Sequence, residues 1–165
     1  VKNAAKYGFE LVERIELNSD YHKQILTQEQ KNLWDIYAKR LKWSLVLKEV
    51  EEKNALGPQA IKRKEAELLF AKVPKGALLI AMDQNGLLLS SPELAKKIGL
   101  WQDSGISDLA IVVGGSEGLD QTIIDKADLK IAMGKMTWPH MLARIMLLEQ
   151  IYRAQCILGN HPYHK

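Results

Sequence analysis

Two stretches of the chain are apolar at every position: Ala77-Leu78-Leu79-Ile80-Ala81-Met82 and Leu109-Ala110-Ile111-Val112-Val113. Continuous runs of this length suit strands covered on both faces, as in a parallel sheet. Other segments carry shorter or weaker patterns. Phe9 to Leu17 alternates in part and reads as a candidate strand, closed by a turn at Asn18-Ser19-Asp20. Leu33, Trp34, Ile36, Tyr37 and Leu41 recur at helical spacing, predicting a helix near 28–42 with Thr27 as its N-cap. Ser44 to Glu51 alternates again and predicts a strand.

The break Asn54-Ala55-Leu56-Gly57-Pro58 opens a helix near 59–72, which ends at Pro74-Lys75-Gly76. After the first apolar run, Gln84-Asn85-Gly86 predicts a turn in which Gly86 is free to take positive φ, and Leu87 to Leu89 continue in extended chain. Ser90 or Ser91 caps the next helix, with Pro92 in its first turn, running to about Trp101. Asp103-Ser104-Gly105 breaks it before the second apolar run. A helix near 120–127, a short strand near 129–133 and a long helix from Pro139 complete the chain. Alternation of strands and helices throughout predicts an α/β domain with a mostly parallel sheet flanked by helices. At 165 residues, with neither repeat nor linker, it reads as one domain.

Composition narrows the class. One cysteine, Cys156, excludes an internal disulfide framework and sits in an apolar helical pattern, where inert packing is the expected role. No run is apolar and long enough to span a bilayer, and Val1 to Lys6 lack the apolar core of a secretory signal, so a cytoplasmic location is expected. The net charge of +3 is unevenly spread. Lys39, Arg40, Lys42, Lys48, Lys53, Lys62, Arg63 and Lys64 stand against only Glu49, Glu51 and Glu52 in the same window, a candidate phosphate-contacting face or a plain solvated surface.

Candidate chemistry gathers in the second half. Gly114-Gly115-Ser116-Glu117-Gly118 follows a strand directly, where α/β proteins bind ligands. Its spacing is neither the dinucleotide pattern nor a Walker loop, and a tight structural turn stands beside the ligand reading. Asp83 ends the other apolar strand and serves equally as a ligand-orienting acid or a turn former. His140 and Arg144 are i and i+4 on one face of the last helix, a face that continues with Leu147, Leu148 and Ile151. Their structural alternative is capping, or an ion pair with Glu117 or Asp128. Glu149 and Arg153 read as a simple surface pair. The closing Asn160-His161-Pro162-Tyr163-His164-Lys165 is unusual for a chain end, with groups that exchange protons or stack on a base. A metal site is not expected, because no third and fourth ligand stand at suitable spacing.

Several of these motifs occur together in one known family. Leu-Ile-Ala-Met-Asp at 79–83, Ile-Val-Val-Gly-Gly-Ser-Glu-Gly-Leu at 111–119, Lys-Met-Thr-Trp-Pro-His at 135–140, Ala-Arg-Ile-Met-Leu-Leu-Glu-Gln-Ile-Tyr-Arg-Ala at 143–154 and the terminal His-Pro-Tyr-His-Lys resemble the ribosomal RNA large-subunit methyltransferase H family, of the knotted SPOUT class. The resemblance covers about residues 33–165. It implies a SPOUT-type domain with a C-terminal trefoil knot, a homodimer, and S-adenosyl-L-methionine as methyl donor. The implied acceptor is N3 of a pseudouridine in 23S rRNA within the ribosome. Matched by motif, Met82, Gly114 and Met133, Gly134, Lys135, Met136, Thr137 and Trp138 would hold the cofactor. Tyr163 and His164 would form the catalytic and RNA-positioning group, with His140 and Arg144 nearby.

In that reading His164 takes the N3 proton or relays it through water, Tyr163 orients the base and Arg144 stabilises developing negative charge. The basic window would hold rRNA phosphates, implying salt-sensitive association. The family normally opens with an apolar strand ending in Gly-Lys or Gly-Arg. Residues 1–26 show no such turn, so roles of that first loop are not transferred. The alternative is a non-catalytic ribosome- or RNA-binding protein that retains the knotted fold.

Overall fold

In a computed structural model of the protein, residues 8–14, 27–50, 57–115 and 118–164 are described; for 8–14, Thr27 and His140 only the backbone is. The elements are β1 (Gly8–Arg14), α1 (Thr27–Arg40), β2 (Ser44–Val50), α2 (Pro58–Phe70), β3 (Leu78–Leu88), α3 (Ser91–Asp103), β4 (Asp108–Val113), α4 (Gln121–Lys126), β5 (Leu129–Ala132) and α5 (His140–Leu158). Strand and helix alternate as the apolar pattern predicts. The candidate first strand is present as β1, while the part of it beyond Arg14 and the turn at 18–20 lie outside the described residues.

All five strands run parallel, in the order β2-β1-β4-β3-β5. Both apolar runs are interior strands, which is why neither can alternate. Ile80, Leu109, Ile111 and Val113 face a core built with α1, α3 and α5. Leu79, Ala81, Ala110 and Val112 face the opposite core, against α2 and α4. The two periodicities interlock: side chains that alternate along one strand divide between two helical layers.

Local chemistry sets the boundaries. Ser90, rather than Ser91, caps α3: its hydroxyl accepts from the Glu93 amide while the Glu93 carboxylate accepts from the Ser90 amide, a reciprocal capping box. Ser91 instead donates to Gln150 of α5. Asp120 caps α4 through the Thr122 amide. Asp128 joins β5 to β3, its carboxylate accepting from the Leu79 amide at 2.7 Å and its own amide donating back to the Leu79 carbonyl at 2.8 Å.

The expected turn at 84–86 is instead an irregularity within one longer strand. Met82 and Leu87 both register with Ile131, so residues 83–86 bulge out of the β3–β5 ladder. Asp83 serves the bulge, accepting from the Asn85 amide at 2.8 Å. Gly86 does not take positive φ. Its requirement is space: a Cβ there would stand 2.6 Å from the Ile131 nitrogen and 2.7 Å from the Lys130 carbonyl carbon. The β5 backbone passes too close for any side chain.

Gly86→Ala should therefore destabilise the protein by about 1–3 kcal/mol, the usual cost of forced overpacking. Urea unfolding measures this. A variant with the wild-type midpoint would mean that β5 does not lie against Gly86.

Candidate active site

The strand register gathers the expected cofactor residues at one level. Met82 pairs with Val113 on one side and Ile131 on the other. Met82, inside β3 just before its bulge, thus lies near the level at which β4 and β5 end and Gly114 and Met133 lead out of the sheet. The helices leaving β3 and β5 pack on one layer and the helix leaving β4 on the other. Loops that diverge in this way open a crevice, the usual place for a ligand in such sheets.

The loop after β5 has a defined shape. Gly134 takes φ of +110°, a conformation that side chains rarely adopt, and the Trp138 indole donates to the Met133 carbonyl at 3.1 Å, closing the loop. Its apolar side chains are nevertheless uncovered, Met136 being 73% and Trp138 38% exposed. Leu142, one turn into α5, and Leu87 and Leu88 of β3 are also exposed. Exposed apolar groups on β3, on the loop after β5 and on the first turn of α5 are candidates for a surface that is covered by a partner.

The glycine turn after β4 is built for compactness. The Gly118 amide donates to the Gly115 carbonyl at 2.9 Å, Gly118 has φ of +74°, and a Cβ on Gly114 would stand 2.6 Å from the Gly118 carbonyl carbon. This is the tight structural turn, and it also borders a small recess of about 10 Å³, partly open to solvent. Lys62 and Glu65 of α2 and Asp120 line that recess with the glycines. Neither Met82 nor the Met133–Trp138 loop does, so it is separate from the crevice above β3 and β5. Ser116 and Glu117 lie outside the described residues.

Arg144 is 8% exposed. Its guanidinium pairs with Glu49 at the end of β2 at 3.1 Å and stacks over Trp34 of α1 at 5.5 Å. Of the two acids expected as its partner, Asp128 instead accepts from the Leu79 amide, and Glu117 lies outside the described residues. Leu147, Leu148 and Ile151 continue the same face into the core as expected. His140 is the first residue of α5, one position after the N-cap Pro139; its side chain lies outside the described residues.

The chain end is docked. Tyr163 donates to the Glu149 carboxylate at 3.0 Å, and its ring packs edge-on to Tyr152 at 4.8 Å. Arg153 donates through Nε to the same carboxylate oxygen at 3.0 Å and lies over the Tyr163 ring at 4.8 Å. Its remaining amino group reaches His164 Nδ1 at 3.4 Å. The Tyr163 amide donates to His161 Nδ1 at 3.2 Å, tightening the turn. Glu149 and Arg153, expected as a surface pair, are instead partly buried and form the seat of the tail. One signal would have found them: an i, i+4 ion pair flanking Tyr152 on a helix followed by a polar aromatic tail. Cys156 is buried, and its hydrogen bond with Tyr152 raises the Tyr152 hydroxyl pKa.

Within the chain, the two parts of the expected site are attached to different stretches of α5. Glu149 lies about 13 Å along α5 from His140, at 1.5 Å rise per residue. The tail folds against the middle of α5, while the loop after β5 leads into its start. The basic window also divides. Lys39 and Arg40 end α1 on one layer, whereas Lys62, Arg63 and Lys64 lie on α2 in the other, so they do not make one face. Lys53 lies outside the described residues. Among the described residues, no group of three or more His, Cys, Asp or Glu could hold a metal ion, and no helix is long and apolar enough to cross a membrane.

Comparison with known proteins adds independent findings. The family described as "Predicted SPOUT methyltransferase" matches residues 21–164. The chain is similar to the ribosomal RNA large subunit methyltransferase H of Rhodospirillum centenum, with 50% identity over 135 residues, covering 82% of this chain and 89% of that protein. The protein of the same name from Paramagnetospirillum magneticum is 44% identical over 136 residues, covering 82% and 90%. Among solved structures, a probable methylase family protein from Haemophilus influenzae Rd KW20 superposes with a TM-score of 0.54 at 15% identity, over 98% of this chain and 71% of that one, a likeness of fold.

Burial first, and then hydrogen bonds with Tyr37 and Glu149, raise the Tyr163 pKa above the ordinary tyrosine value of 10. The raised group is neutral when protonated, so docking is fully stabilised below pH 10 and loses that stabilisation as pH climbs toward the folded value. The difference in ultraviolet titration between wild type and Tyr163→Phe should show one tyrosine ionising above 10 in the native protein and near 10 in urea. A native tyrosine difference signal centred at or below 10 would contradict the docked tail.

Proposed function

The chain belongs to the SPOUT methyltransferase family, among the ribosomal RNA large subunit methyltransferase H proteins, and on that footing we propose that it methylates N3 of a pseudouridine in 23S rRNA using S-adenosyl-L-methionine. It is an rRNA methyltransferase whose substrate is the assembled ribosome in the cytoplasm, and its C-terminal segment carries the knot of its class. The observation that carries the reading is the convergence of Met82, Gly114 and the Met133–Trp138 loop at one level of the sheet.

The residues present fit such a cofactor. Gly134 and the Trp138–Met133 hydrogen bond shape the turn, and Met136 and Trp138 offer exposed apolar surface to a purine ring and a thioether chain. Lys135 and Thr137 supply polar contacts on the same turn. When bound, the cofactor supplies an electrophilic methyl group. The protein's own task is to hold the acceptor base in line with it and to exclude competing arrangements.

The exposed apolar groups and the separation between loop and tail support a homodimer in which Tyr163 and His164 of one protomer serve the crevice of the other. Arg144, held by Glu49 and Trp34, keeps the start of α5 against α1 and β2 and so aims the loop that precedes it. His140, as the first residue of that helix, stands beside the acceptor. Lys62, Arg63 and Lys64 form a phosphate-contacting patch on α2.

Calorimetry should show S-adenosyl-L-methionine binding to the wild type, and mass spectrometry should find the methylated pseudouridine restored in rRNA when deletion cells are complemented. No binding at millimolar ligand would move the chain to a ribosome-binding role without catalysis. Dimers mixed from a Trp138→Ala protomer and a Tyr163→Phe protomer should recover activity that neither homodimer has, because one intact crevice then faces one intact tail. Failure of the mixture to exceed its parents would overturn the shared arrangement.

A further inference from the structure

The tail fixes which nitrogen of His164 can meet a substrate. A guanidinium has five N–H donors and no acceptor, and it stays protonated in proteins. Arg153 approaches His164 at Nδ1, 3.4 Å away, so Nδ1 is the accepting nitrogen and the imidazole proton resides on Nε2. Arg153 is itself held: Nε and a second amino group both donate to Glu149, and the guanidinium carbon stands 4.8 Å from the centre of the Tyr163 ring. Glu149 also receives the Tyr163 hydroxyl. One carboxylate therefore positions both functional side chains of the tail, directly for Tyr163 and through Arg153 for His164. His161 repeats the device, its Nδ1 accepting from the Tyr163 amide.

Resting on the methyltransferase reading above, we infer that His164 acts as a hydrogen-bond donor through Nε2–H to a carbonyl oxygen of the target pyrimidine, with Glu149 and Arg153 as the positioning residues that set this tautomer. The reaction balances without a protein base. The N3 proton leaves to water, negative charge spreads from N3 onto the flanking carbonyl oxygens, and His164 stabilises that charge on one of them. The N3 electron pair then forms the N–C bond to the methyl group as the S–C bond breaks, leaving a neutral thioether. A nitrogen already accepting from Arg153 does not take up the N3 proton, whereas the opposite nitrogen carries a proton and can only donate.

Two measurements test this on the full-length protein. Long-range ¹H–¹⁵N spectra of histidine-labelled protein at about pH 8 read the tautomer directly, with His164 assigned by its loss in His164→Gln. Wild type should show Nε2–H alone, and Glu149→Gln or Arg153→Lys should show both neutral tautomers. Single-turnover methylation of ribosomes reads the role. Glutamine carries a donor near the Nε2 position, so His164→Gln should stay within about tenfold of wild type, while His164→Ala loses about a hundredfold, the usual cost of removing one such donor. A wild type that methylates while His164 is Nδ1–H, or a His164→Gln enzyme as slow as His164→Ala, overturns the inference. A wild type without methylation overturns instead the function on which it rests, since the spectra need no turnover.

Discussion

The close passage of β5 against Gly86 is the constraint on which the rest depends. Only a residue without a side chain lets the β5 backbone lie against the β3 bulge, and the ladder then resumes from Leu87 with Ile131. That register decides where β5 ends and so where the Met133–Trp138 loop begins, level with Met82 and Gly114. It also decides where α5 starts. From there the core face of α5 fixes the helix against α1 and α3, and the helix carries Glu149 and Arg153 to the places where they hold the tail. A backbone clearance inside the sheet thus controls two parts of a site that share no side-chain contact with it.

Much of the architecture was legible because it follows from solvent exclusion. A strand buried on both faces cannot alternate, and the runs at 77–82 and 109–113 said so. The cap at Ser90 was legible to within one residue, since the serine pair offers two hydroxyls and only the glutamate three places on selects between them. Gly86 was recognised as special for a different reason from the one that holds. Sequence reports that a glycine is present, but it cannot tell freedom in φ from lack of room, because the crowding comes from a strand more than forty positions away.

The site divides the same way. Its cofactor residues were legible through motif resemblance, and the parallel register gives that grouping a physical basis. The seat of the tail was not. Glu149 and Arg153 at i and i+4 have the spacing of countless exposed ion pairs, and their meaning comes from a chain end that folds back over them. The ion pair of Arg144 with Glu49 was likewise hidden, because it joins β2 to α5 across 95 positions of sequence. Charge clustering in sequence misled for the opposite reason: neighbours between 39 and 64 pass through a strand and end on opposite layers.

The nineteen residues of α5 also act as a ruler. An α-helix converts residue number into both distance and direction, about 1.5 Å and about 100° for each position. One residue more or fewer between His140 and Glu149 would swing the tail's seat by roughly a quarter turn and put core side chains into solvent. Loops at the opposite end of the sheet can lengthen at small cost. Descendants of this sequence are therefore free to drift in composition along α5 but not in length, and alignment gaps within it would mark proteins whose tail has taken up another task.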